Sequence, residues 1–290
     1  MKLKLMISAA LLWCLSAAAY AGNAVENPDS LALVNAEWNW KSIGKGGEAG
    51  SAKVKMFGSD QTISAVKYPA ARFKTKILHC PGDESSTTDM LASRHGYTVG
   101  VNGSYFNMRT LEPCTFFAMN RSVISLTPKS EGFRTNGLLA FKKKNGREME
   151  VLYCDSTKFD QYRKNYNMVI ASGPVLIKDG DTGTFAQDKY FTEKRHPRTV
   201  VGQDAKGNYW FIVIDGRFPG VADGATIPET AAIARYFGLK DAINFDGGGS
   251  STLWTEATGV INYPCDNKKY DHVGCRRVPN VIVAKYLKHN

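Results

Sequence analysis

The sequence predicts an α+β domain with a mixed, largely antiparallel sheet and a few helices. Many short runs alternate between apolar and polar residues, as half-buried strands do. Only two segments carry the signals that begin and end a helix. Neither an internal repeat nor a convincing linker follows Ser51, so we expect a single domain. A chain of 290 residues with 43% hydrophobic and 22% charged residues can bury the core that this domain needs.

The first 21 residues have the layout of a signal peptide. Lys2 and Lys4 precede an apolar stretch over 5–15, and Ala19-Tyr-Ala21 supplies the small residues of a cleavage site. We therefore expect cleavage near Ala21 and export to the periplasm or the medium. No later run approaches the roughly 20 apolar residues of a membrane-spanning helix. Residues 22–50 are polar and end in a glycine-rich stretch, which predicts a leader before a domain at 51–290.

Strands are expected wherever apolar residues alternate or cluster between turn-forming residues. Lys206-Gly-Asn208 predicts the hairpin turn before one of them. The predicted strands cover 52–57, 62–66, 73–78, 97–101, 138–141, 149–153, 174–177, 199–202, 209–214, 242–245, 251–254, 259–262 and 281–284.

Two helices are expected. The first lies within 85–94, where several hydroxyl side chains can cap it, and it ends before Gly96. The second begins at Thr226-Ile-Pro-Glu229, which combines a capping box with a proline in the first turn, and ends at Gly238. Glu229 is therefore a structural residue in this interpretation.

Five cysteines remain after the predicted signal peptide, in a compartment where disulfides persist. Cys265 and Cys275 bracket a short polar loop and are the first predicted pair. Cys80 with Cys114 is a second candidate pair, which leaves Cys154 as a thiol. The absence of Cys-x-x-Cys and His-x-x-x-His spacings argues against zinc.

The formal net charge of +10 favours an anionic partner, such as a phosphorylated substrate or an acidic envelope polymer. A solvated basic surface is the alternative. Nucleic acid is not expected, because the basic residues are scattered and their longest run is Lys142-Lys-Lys144. The sequence makes no prediction about the oligomeric state.

Asp246-Gly-Gly-Gly-Ser-Ser251 directly follows a predicted strand. Three glycines leave backbone amides accessible to an anion, and Ser250 and Ser251 add hydroxyl donors. A tight turn without function is the alternative. The segment is not a nucleotide-binding P-loop, because no Gly-Lys-Ser/Thr ends it.

Asp215-Gly-Arg217 also follows a predicted strand, so it presents a carboxylate and a guanidinium at a strand end. Asp-Gly is also a common turn, and the pair could merely brace a loop. His196-Pro-Arg198 adds a second guanidinium, which can bind phosphate bidentately. A lone histidine in such a run is more often a supporting residue than a base.

Two upstream turns could contact a sugar. Asn102-Gly-Ser-Tyr-Phe-Asn107 places amides and a hydroxyl beside aromatic residues, and Ser172 precedes a Gly-Pro turn. Polar turns packed by aromatic residues are the alternative. A serine hydrolase of the α/β type is disfavoured, because the chain has no Gly-x-Ser-x-Gly elbow.

Taken in order, these motifs together with Val278-Pro-Asn280 resemble the phosphodiester glycosidase family over residues 50–290. The resemblance implies a hydrolase that cleaves the glycosyl bond of a sugar-1-phosphodiester and releases free sugar and a phosphomonoester. Two features depart from the family pattern: the first motif carries Ser104-Tyr105 where Gly-Phe is commoner, and Cys265 replaces a small polar residue.

On this hypothesis Asp215 and Asp246 are the catalytic carboxylates. The residues predicted to bind phosphate are Arg198, Arg217, Gly247, Gly248, Gly249 and Ser250. Asn102 and Ser172 are predicted to bind the sugar. His196 and Ser251 are predicted to support the site. The sequence requires no cofactor and leaves a divalent metal open.

Two other functions fit the same residues. A non-catalytic envelope module would bind a phosphorylated glycan through the arginines and glycines without cleaving a bond. A metal-dependent phosphodiesterase would hold a divalent ion on Asp215 and Asp246 and break the P–O bond, although no His-Asp cluster of the two-metal kind supports it.

Overall fold

The computed structural model describes residues 27–144 and 146–287. The predicted signal peptide at 1–21 and the start of the predicted leader lie outside the described residues. In the part that is described, we find no helix with the length and apolar character needed to cross a membrane.

The described chain forms four α-helices, several 3₁₀ turns and twenty strands. The helices are α1 (Pro28–Val34), α2 (Thr88–Arg94), α3 (Phe159–Asn165) and α4 (Ile227–Tyr236). The strands are β1 (Lys41–Gly44), β2 (Gly47–Met56), β3 (Ser59–Pro69), β4 (Phe73–His79), β5 (Ser86–Thr87), β6 (Val99–Asn102), β7 (Phe117–Met119), β8 (Ser122–Ser125), β9 (Gly137–Phe141), β10 (Met149–Tyr153), β11 (Met168–Ser172), β12 (Val175–Lys178), β13 (Asp181–Thr182), β14 (Arg198–Asp204), β15 (Asn208–Ile214), β16 (Leu239–Phe245), β17 (Leu253–Thr255), β18 (Gly259–Val260), β19 (Arg277–Val278) and β20 (Asn280–Tyr286).

The strands form one large sheet and three smaller ones. The large sheet has the order β1-β2-β3-β15-β14-β16-β12-β13. Two five-stranded sheets have the orders β10-β9-β11-β7-β8 and β18-β17-β6-β20-β4, and β19 pairs with β5. All pairings between the described strands are antiparallel, which confirms the predicted α+β class.

The alternation along β15 shows how the layers pack. Tyr209, Phe211 and Val213 point into the core between the large sheet and the two five-stranded sheets. The intervening side chains, such as Trp210 and Ile212, point to the opposite face, which α4 covers. Both faces of the large sheet are therefore buried, so its central strands are apolar on both sides.

Shorter helices cover the outer faces of the two five-stranded sheets. Leu91 and Ala92 of α2 join the core on the outer side of β6 and β20. On the other sheet, Phe159 of α3 stacks on Phe116 with ring centroids 4.1 Å apart. These two layers close the domain around the large sheet.

The predicted polar leader is wrong from Pro28 onward, because the chain is already folded there. Asn27 caps α1 by accepting a hydrogen bond from the Asp29 amide. The glycine-rich stretch belongs to a hairpin: Gly44 and Gly46 have φ angles of 85° and 81° and turn β1 into β2. Glycines that resemble a linker in the sequence thus supply the left-handed residues of a turn.

Several local predictions are confirmed. Both hydrogen bonds of the capping box are present: the Thr226 hydroxyl accepts from the Glu229 amide, and the Glu229 carboxylate accepts from the Thr226 amide. Gly207, with φ of 81°, turns β14 into β15. The sequence missed α3 and β11, and β11 lacks alternation because all five of its residues are buried.

The predicted cystine between Cys265 and Cys275 is not formed. All five cysteines of the described chain are free thiols, including the second candidate pair. Sγ of Cys265 instead lies 3.8 Å from Nη1 of Arg217.

Candidate active site

The three C-terminal motifs meet at one edge of the large sheet. Arg198, the first residue of β14, pairs with Ile214, so the chain segment before Arg198 lies beside Asp215. Thr199 pairs with Phe245, which places Asp246 on the other side of β14. Because β15 and β16 both run antiparallel to β14, their carboxyl ends flank the strand's beginning.

The two upstream motifs reach the same edge from the smaller sheets. Asn102 ends β6, and its Nδ2 donates to the carbonyl of Asp246 at 2.7 Å. Gly173 lies between β11 and β12, and its amide donates to the carbonyl of Asn244 on β16 at 2.9 Å. The antiparallel topology thus gathers all the predicted motifs into one candidate site.

Asp215 is a buried carboxylate with only neutral hydrogen-bond donors. It is 1% exposed, and it accepts hydrogen bonds from Nδ2 of Asn262 at 2.9 Å and from the Tyr263 amide at 3.0 Å. Burial raises the pKa of Asp215 to about 7, because the two N–H donors only partly compensate for lost hydration. The carboxyl group therefore gains or loses its proton near neutral pH.

Asp246 is partly exposed and lies among cations. Burial raises its pKa above the ordinary range of an aspartate, while the charges of Arg134 and Arg276 lower it. The Ser250 side chain and the Gly247 amide also lower the pKa of Asp246. Asp246 is thus more exposed as a residue than Asp215, and it has the charged surroundings that Asp215 lacks.

Two arginines lie directly on the glycine loop. A methyl group on Gly248 would lie 2.8 Å from Nη2 of Arg217, and one on Gly249 would lie 2.3 Å from Nη2 of Arg276. Only bare glycines allow such an approach. Arg217 has φ of 69°, a left-handed conformation that non-glycine residues seldom adopt. This backbone conformation directs the Arg217 guanidinium group over the glycine loop.

Arg276 and Arg134 are held by carboxylates of their own. Arg276 donates from Nε to Asp266 at 2.9 Å. Arg134 donates from Nε to Glu131 at 2.6 Å and lies over the Tyr105 ring, 4.2 Å from its centroid. Sequence reasoning missed both arginines. Arg276 lies close to the Val278-Pro-Asn280 motif, which could have drawn attention to it, whereas no motif marks Arg134.

Ser250 carries a buried hydroxyl without a satisfactory partner. The side chain is fully buried, and its Oγ makes no hydrogen bond of good geometry with any described residue. It lies close enough to Asp246 to influence the pKa of that carboxyl. A buried hydroxyl without a partner is costly unless a ligand completes it, which favours the predicted role in phosphate binding.

Arg198 requires a correction. The side chain is 3% exposed, and its donors are taken up by backbone carbonyls of Ala225, Phe191 and Lys194 at 2.7–3.0 Å. Burial lowers the pKa of Arg198 to about 10. This geometry does not fit the predicted phosphate clamp. The guanidinium group points into the protein and stabilises the segment before β14 through its hydrogen bonds.

The predicted sugar contacts also need correction. Asn102 is fully buried: Nδ2 donates to two carbonyls, and Oδ1 accepts from Oγ1 of Thr199 at 2.9 Å and from the Thr252 amide at 3.2 Å. Ser172 is also buried, and its hydroxyl donates to the Asn244 carbonyl. Neither group has a free donor or acceptor for a sugar, so both hold the site together.

The glycine loop differs from the predicted amide cradle. The Gly248 amide donates to the Pro197 carbonyl at 3.0 Å, and a methyl group on Gly247 would lie 2.4 Å from that same oxygen. The loop therefore packs against Pro197 on one side and under the arginines on the other. Its glycines serve close approach, while Gly248 has no amide to offer an anion.

The two residues predicted to support the site have internal partners. Nε2 of His196 lies 2.9 Å from the Tyr190 carbonyl, and its pKa is lowered mainly by burial. Oγ of Ser251 lies within hydrogen-bonding distance of Oγ1 of Thr199, at 3.2 Å. Both side chains thus connect loops around the site.

Asn262 is a further residue that sequence reasoning did not single out. Its Nδ2 donates to Asp215 and to the Ser251 carbonyl, and its Oδ1 accepts from the Leu253 amide. This amide begins a network of direct hydrogen bonds and backbone connections that joins the two carboxylate positions. The network runs through Asp215, Asn262, Ser251, Thr199, Asn102 and Asp246.

Within residues 27–144 and 146–287, no three His, Cys, Asp or Glu side chains lie close enough together to share a metal ion. The arrangement offers an anionic ligand the positive charges of three arginines and a buried hydroxyl, with Asp246 close by.

Comparison with known proteins identifies relatives of the chain. A family model for phosphodiester glycosidases matches residues 95–285. The N-acetylglucosamine-1-phosphodiester alpha-N-acetylglucosaminidase of Bos taurus is 29% identical over 217 residues, which cover 70% of this chain and 40% of the bovine protein. The chain thus spans less than half the length of this relative.

Two solved structures share the fold. The zebrafish N-acetylglucosamine-1-phosphodiester alpha-N-acetylglucosaminidase catalytic domain, auto-inhibited by its pro-peptide, has a TM-score of 0.64 at 17% identity, with 87% of this chain and 88% of that chain covered. A hypothetical protein from Synechocystis has a TM-score of 0.61 at 12% identity, covering 86% of this chain and 63% of the other.

Proposed function

The chain belongs to the phosphodiester glycosidase family, and we propose that it hydrolyses the glycosyl bond of a sugar-1-phosphodiester. The products are the free sugar and a phosphomonoester. The observation that carries this proposal is the half-buried Asp246 near Arg134 and Arg276, followed by the glycine loop on which Arg217 lies, one strand away from the buried carboxylate of Asp215.

The arginines suit the leaving group. Cleavage of the glycosyl bond expels a phosphomonoester, so negative charge on phosphate grows as the bond breaks. Arg217 and Arg276 present guanidinium groups over the glycine loop, and Ser250 offers a hydroxyl beside them. Preorganised donors of this kind stabilise the developing charge in the transition state. A phosphate leaving group then needs little help from a general acid.

Asp246 is the carboxylate that meets the sugar. Its partial exposure allows contact with a ligand, and the neighbouring arginines stabilise its ionised form. An ionised carboxylate at this position acts on the glycosyl carbon either as a nucleophile or as a base that activates water. The anomeric configuration of the first product, read by NMR, distinguishes the two routes.

Asp215 supplies a second negative charge from below the site. An ionised carboxylate stabilises the oxocarbenium-like transition state of glycosyl transfer. Because the pKa of Asp215 is about 7, this charge develops as the pH rises through neutrality. Asp215 also holds Asn262, which in turn holds the loop that carries Ser251.

The decisive experiment is hydrolysis in ¹⁸O-labelled water. A panel of sugar-1-phosphodiesters should begin with N-acetylglucosamine, the sugar in the bovine relative's name. Label in the sugar supports glycosyl cleavage. Label in the phosphate would overturn the proposal in favour of a phosphodiesterase that breaks P–O, and binding without any turnover would favour a non-catalytic module.

We also propose that the protein is exported. The basic start, apolar stretch and Ala19-Tyr-Ala21 site of the first 21 residues support this proposal. Expression of the full chain in a Gram-negative host, followed by fractionation and N-terminal sequencing, should give a periplasmic or secreted protein that begins at Gly22. An uncleaved cytoplasmic chain would contradict it.

A further inference from the structure

A second polar cavity lies away from the candidate active site. It has a volume of about 440 Å³, and its lining includes four cationic side chains and several amides. The cations and two of the amides are Arg121, Lys142, Lys144, Lys164, Asn120 and Asn167. They come from three separate segments of the chain, so the fold brings these charges together.

The cavity carries more positive than negative charge. Lys142 is paired with Glu150 at 2.7 Å, and Lys164 is paired with Asp160. Arg121 and Lys144 have no carboxylate within ion-pair distance anywhere in the described chain. These two cations are therefore available to an anion.

The basic character continues onto the adjoining sheet. Lys74 on β4 pairs in register with Lys285 on β20, and Lys76 lies two residues further along β4. Burial and then the charges of Lys74, Lys285 and Lys144 lower the pKa of Lys76, so Lys144 of the cavity lies near enough to influence this strip. The positive surface thus extends beyond the cavity.

The walls of the cavity are held in place by hydrogen bonds. Nδ2 of Asn167 donates to Oδ1 of Asn120 at 2.9 Å, and the Asn120 amide donates to the Asn167 carbonyl at 2.7 Å. Asn120 and Arg121 form the turn between β7 and β8 with φ angles of 50° and 70°. Arg163 fixes this turn by donating to the Arg121 carbonyl at 3.2 Å. Little ordering is then required on binding.

We propose that this basic pocket is a second binding site, for an acidic glycan bearing phosphate or carboxylate groups. Amide side chains suit sugar hydroxyls, and the lysines and Arg121 suit the anionic groups. A membrane surface fits less well, because the lining contains no aliphatic side chain that could enter a bilayer.

The position of the pocket suggests what the site does. Asn167 precedes β11 and Ser172 ends it at the candidate active site, so the two sites are separated by roughly 17 Å along this strand. Because β11 itself is buried, a glycan that occupies both sites must follow a longer path over the surface. Anchoring one end raises the effective concentration of the other at Asp246. This substrate role rests on the proposed function, whereas binding at the pocket does not.

The test compares two variants of equal charge change. Lys144→Gln with Lys164→Gln removes two pocket cations, and Lys189→Gln with Lys269→Gln removes two exposed lysines that do not line the pocket. Affinity is measured on the full protein with a phosphomannan, with alginate oligosaccharides and with neutral dextran. We expect the pocket variant to bind one or both acidic glycans at least about tenfold more weakly, and the control variant to change less than about twofold.

A third variant separates binding from folding. Arg121→Gly removes a cation and relieves a left-handed non-glycine residue, so the fold should be at least as stable. Weaker glycan binding by this variant supports the proposal. The proposal would be overturned if the pocket variant, Arg121→Gly and the wild type bound the acidic glycans with equal affinity. It would also be overturned if the variants lost binding to anionic phosphatidylglycerol vesicles but kept their affinity for the glycans.

Turnover adds an independent measurement. If the polymer is a substrate, the pocket variant should raise KM for the polymer by the same factor, with kcat unchanged and KM for a short sugar-1-phosphodiester unchanged. A wild type that binds the acidic glycan through the pocket but hydrolyses no phosphodiester would refute the proposed function and retain the second site. Turnover of short sugar-1-phosphodiesters without glycan binding would refute the second site and retain the proposed function.

Discussion

The ends of β15 and β16 place two aspartates in opposite environments. Both are followed by glycine and flank the beginning of β14, yet Asp215 is sealed among neutral donors while Asp246 lies partly open among arginines. The loops that pack over each strand end make the difference. Tyr263 closes over Asp215, whereas the chain around Asp246 consists of glycines that admit guanidinium groups. The same strand-end pattern therefore supports two different electrostatic roles.

The largest effect is expected for Asp246→Asn, which removes the carboxylate that meets the sugar. We expect kcat to fall about 10³-fold or more, because the amide can neither attack nor activate water. Affinity for inorganic phosphate should not fall, since the arginines remain. Steady-state kinetics and calorimetry measure the two quantities, and turnover near the wild-type value would show that Asp246 is not the acting group.

Asp215→Asn tests the buried end. The pKa of Asp215 is raised to about 7 by burial, so the folded protein keeps a proton that the unfolded chain loses from about pH 4 upward. The free energy of unfolding should therefore fall by up to about 4 kcal/mol as the pH rises from about 4 to above 7. Asp215→Asn should not show this pH-dependent loss of stability. Oδ1 of its asparagine can still accept hydrogen bonds from Asn262 and from the Tyr263 amide.

Urea unfolding of both proteins at pH 4 and pH 8 measures this difference. The wild-type kcat/KM should also rise with pH through about 7, and the variant should lack that rise. If kcat/KM and the free energy of unfolding depended on pH in the same way in both proteins, Asp215 would not be the titrating group. The electrostatic difference proposed between Asp215 and Asp246 would then be wrong.

Two arginine variants test which guanidinium group acts in the active site near Asp246. Arg217→Lys keeps the charge but loses the planar fork, and we expect kcat/KM to fall about 10²-fold with little change in stability. Arg198→Lys should instead lower the free energy of unfolding by about 1–3 kcal/mol, because buried carbonyls lose their donor. Kinetics and urea unfolding of both variants distinguish these outcomes. The reverse pattern would restore Arg198 as the phosphate clamp.

The smallest effect is expected for Ser250→Ala. The buried Oγ has no satisfactory protein partner, so its loss should leave the free energy of unfolding unchanged or slightly higher. Phosphate affinity should fall less than about tenfold, the contribution of one neutral hydrogen bond. A clear loss of stability would show that the hydroxyl is bonded within the protein and does not face the ligand.

Much of the fold could be predicted from the sequence because its signals are local. The apolar run of β15 after its Lys206-Gly-Asn208 turn, the capping box at Thr226 and the glycine stop of α4 depend on neighbouring residues alone. β11 is as uniformly buried as β15 but has no such turn signal before it, and the glycines before β2 resemble a linker as much as a hairpin. These errors arise where burial or pairing partners lie far away in the chain.

The site was predicted in part for the same reason. A carboxylate directly after an apolar strand marks Asp215 and Asp246, but side-chain partners depend on what the fold brings near. Arg198 and Asn102 have residue types suited to a ligand, and the structure uses them to bind the protein's own backbone. Arg134 comes from an unrelated 3₁₀ turn and is placed by packing on Tyr105 and by its hydrogen bond to Glu131.

The sequence by itself determined the strand ends, the order of the motifs and their membership of one family, since these follow from residue type and local pattern. Only the tertiary structure decided which arginines face Asp246, which carboxylate is sealed by Asn262 and Tyr263, and where the basic pocket forms. Desolvation and charge proximity set those properties, and both depend on distances between residues far apart in the chain.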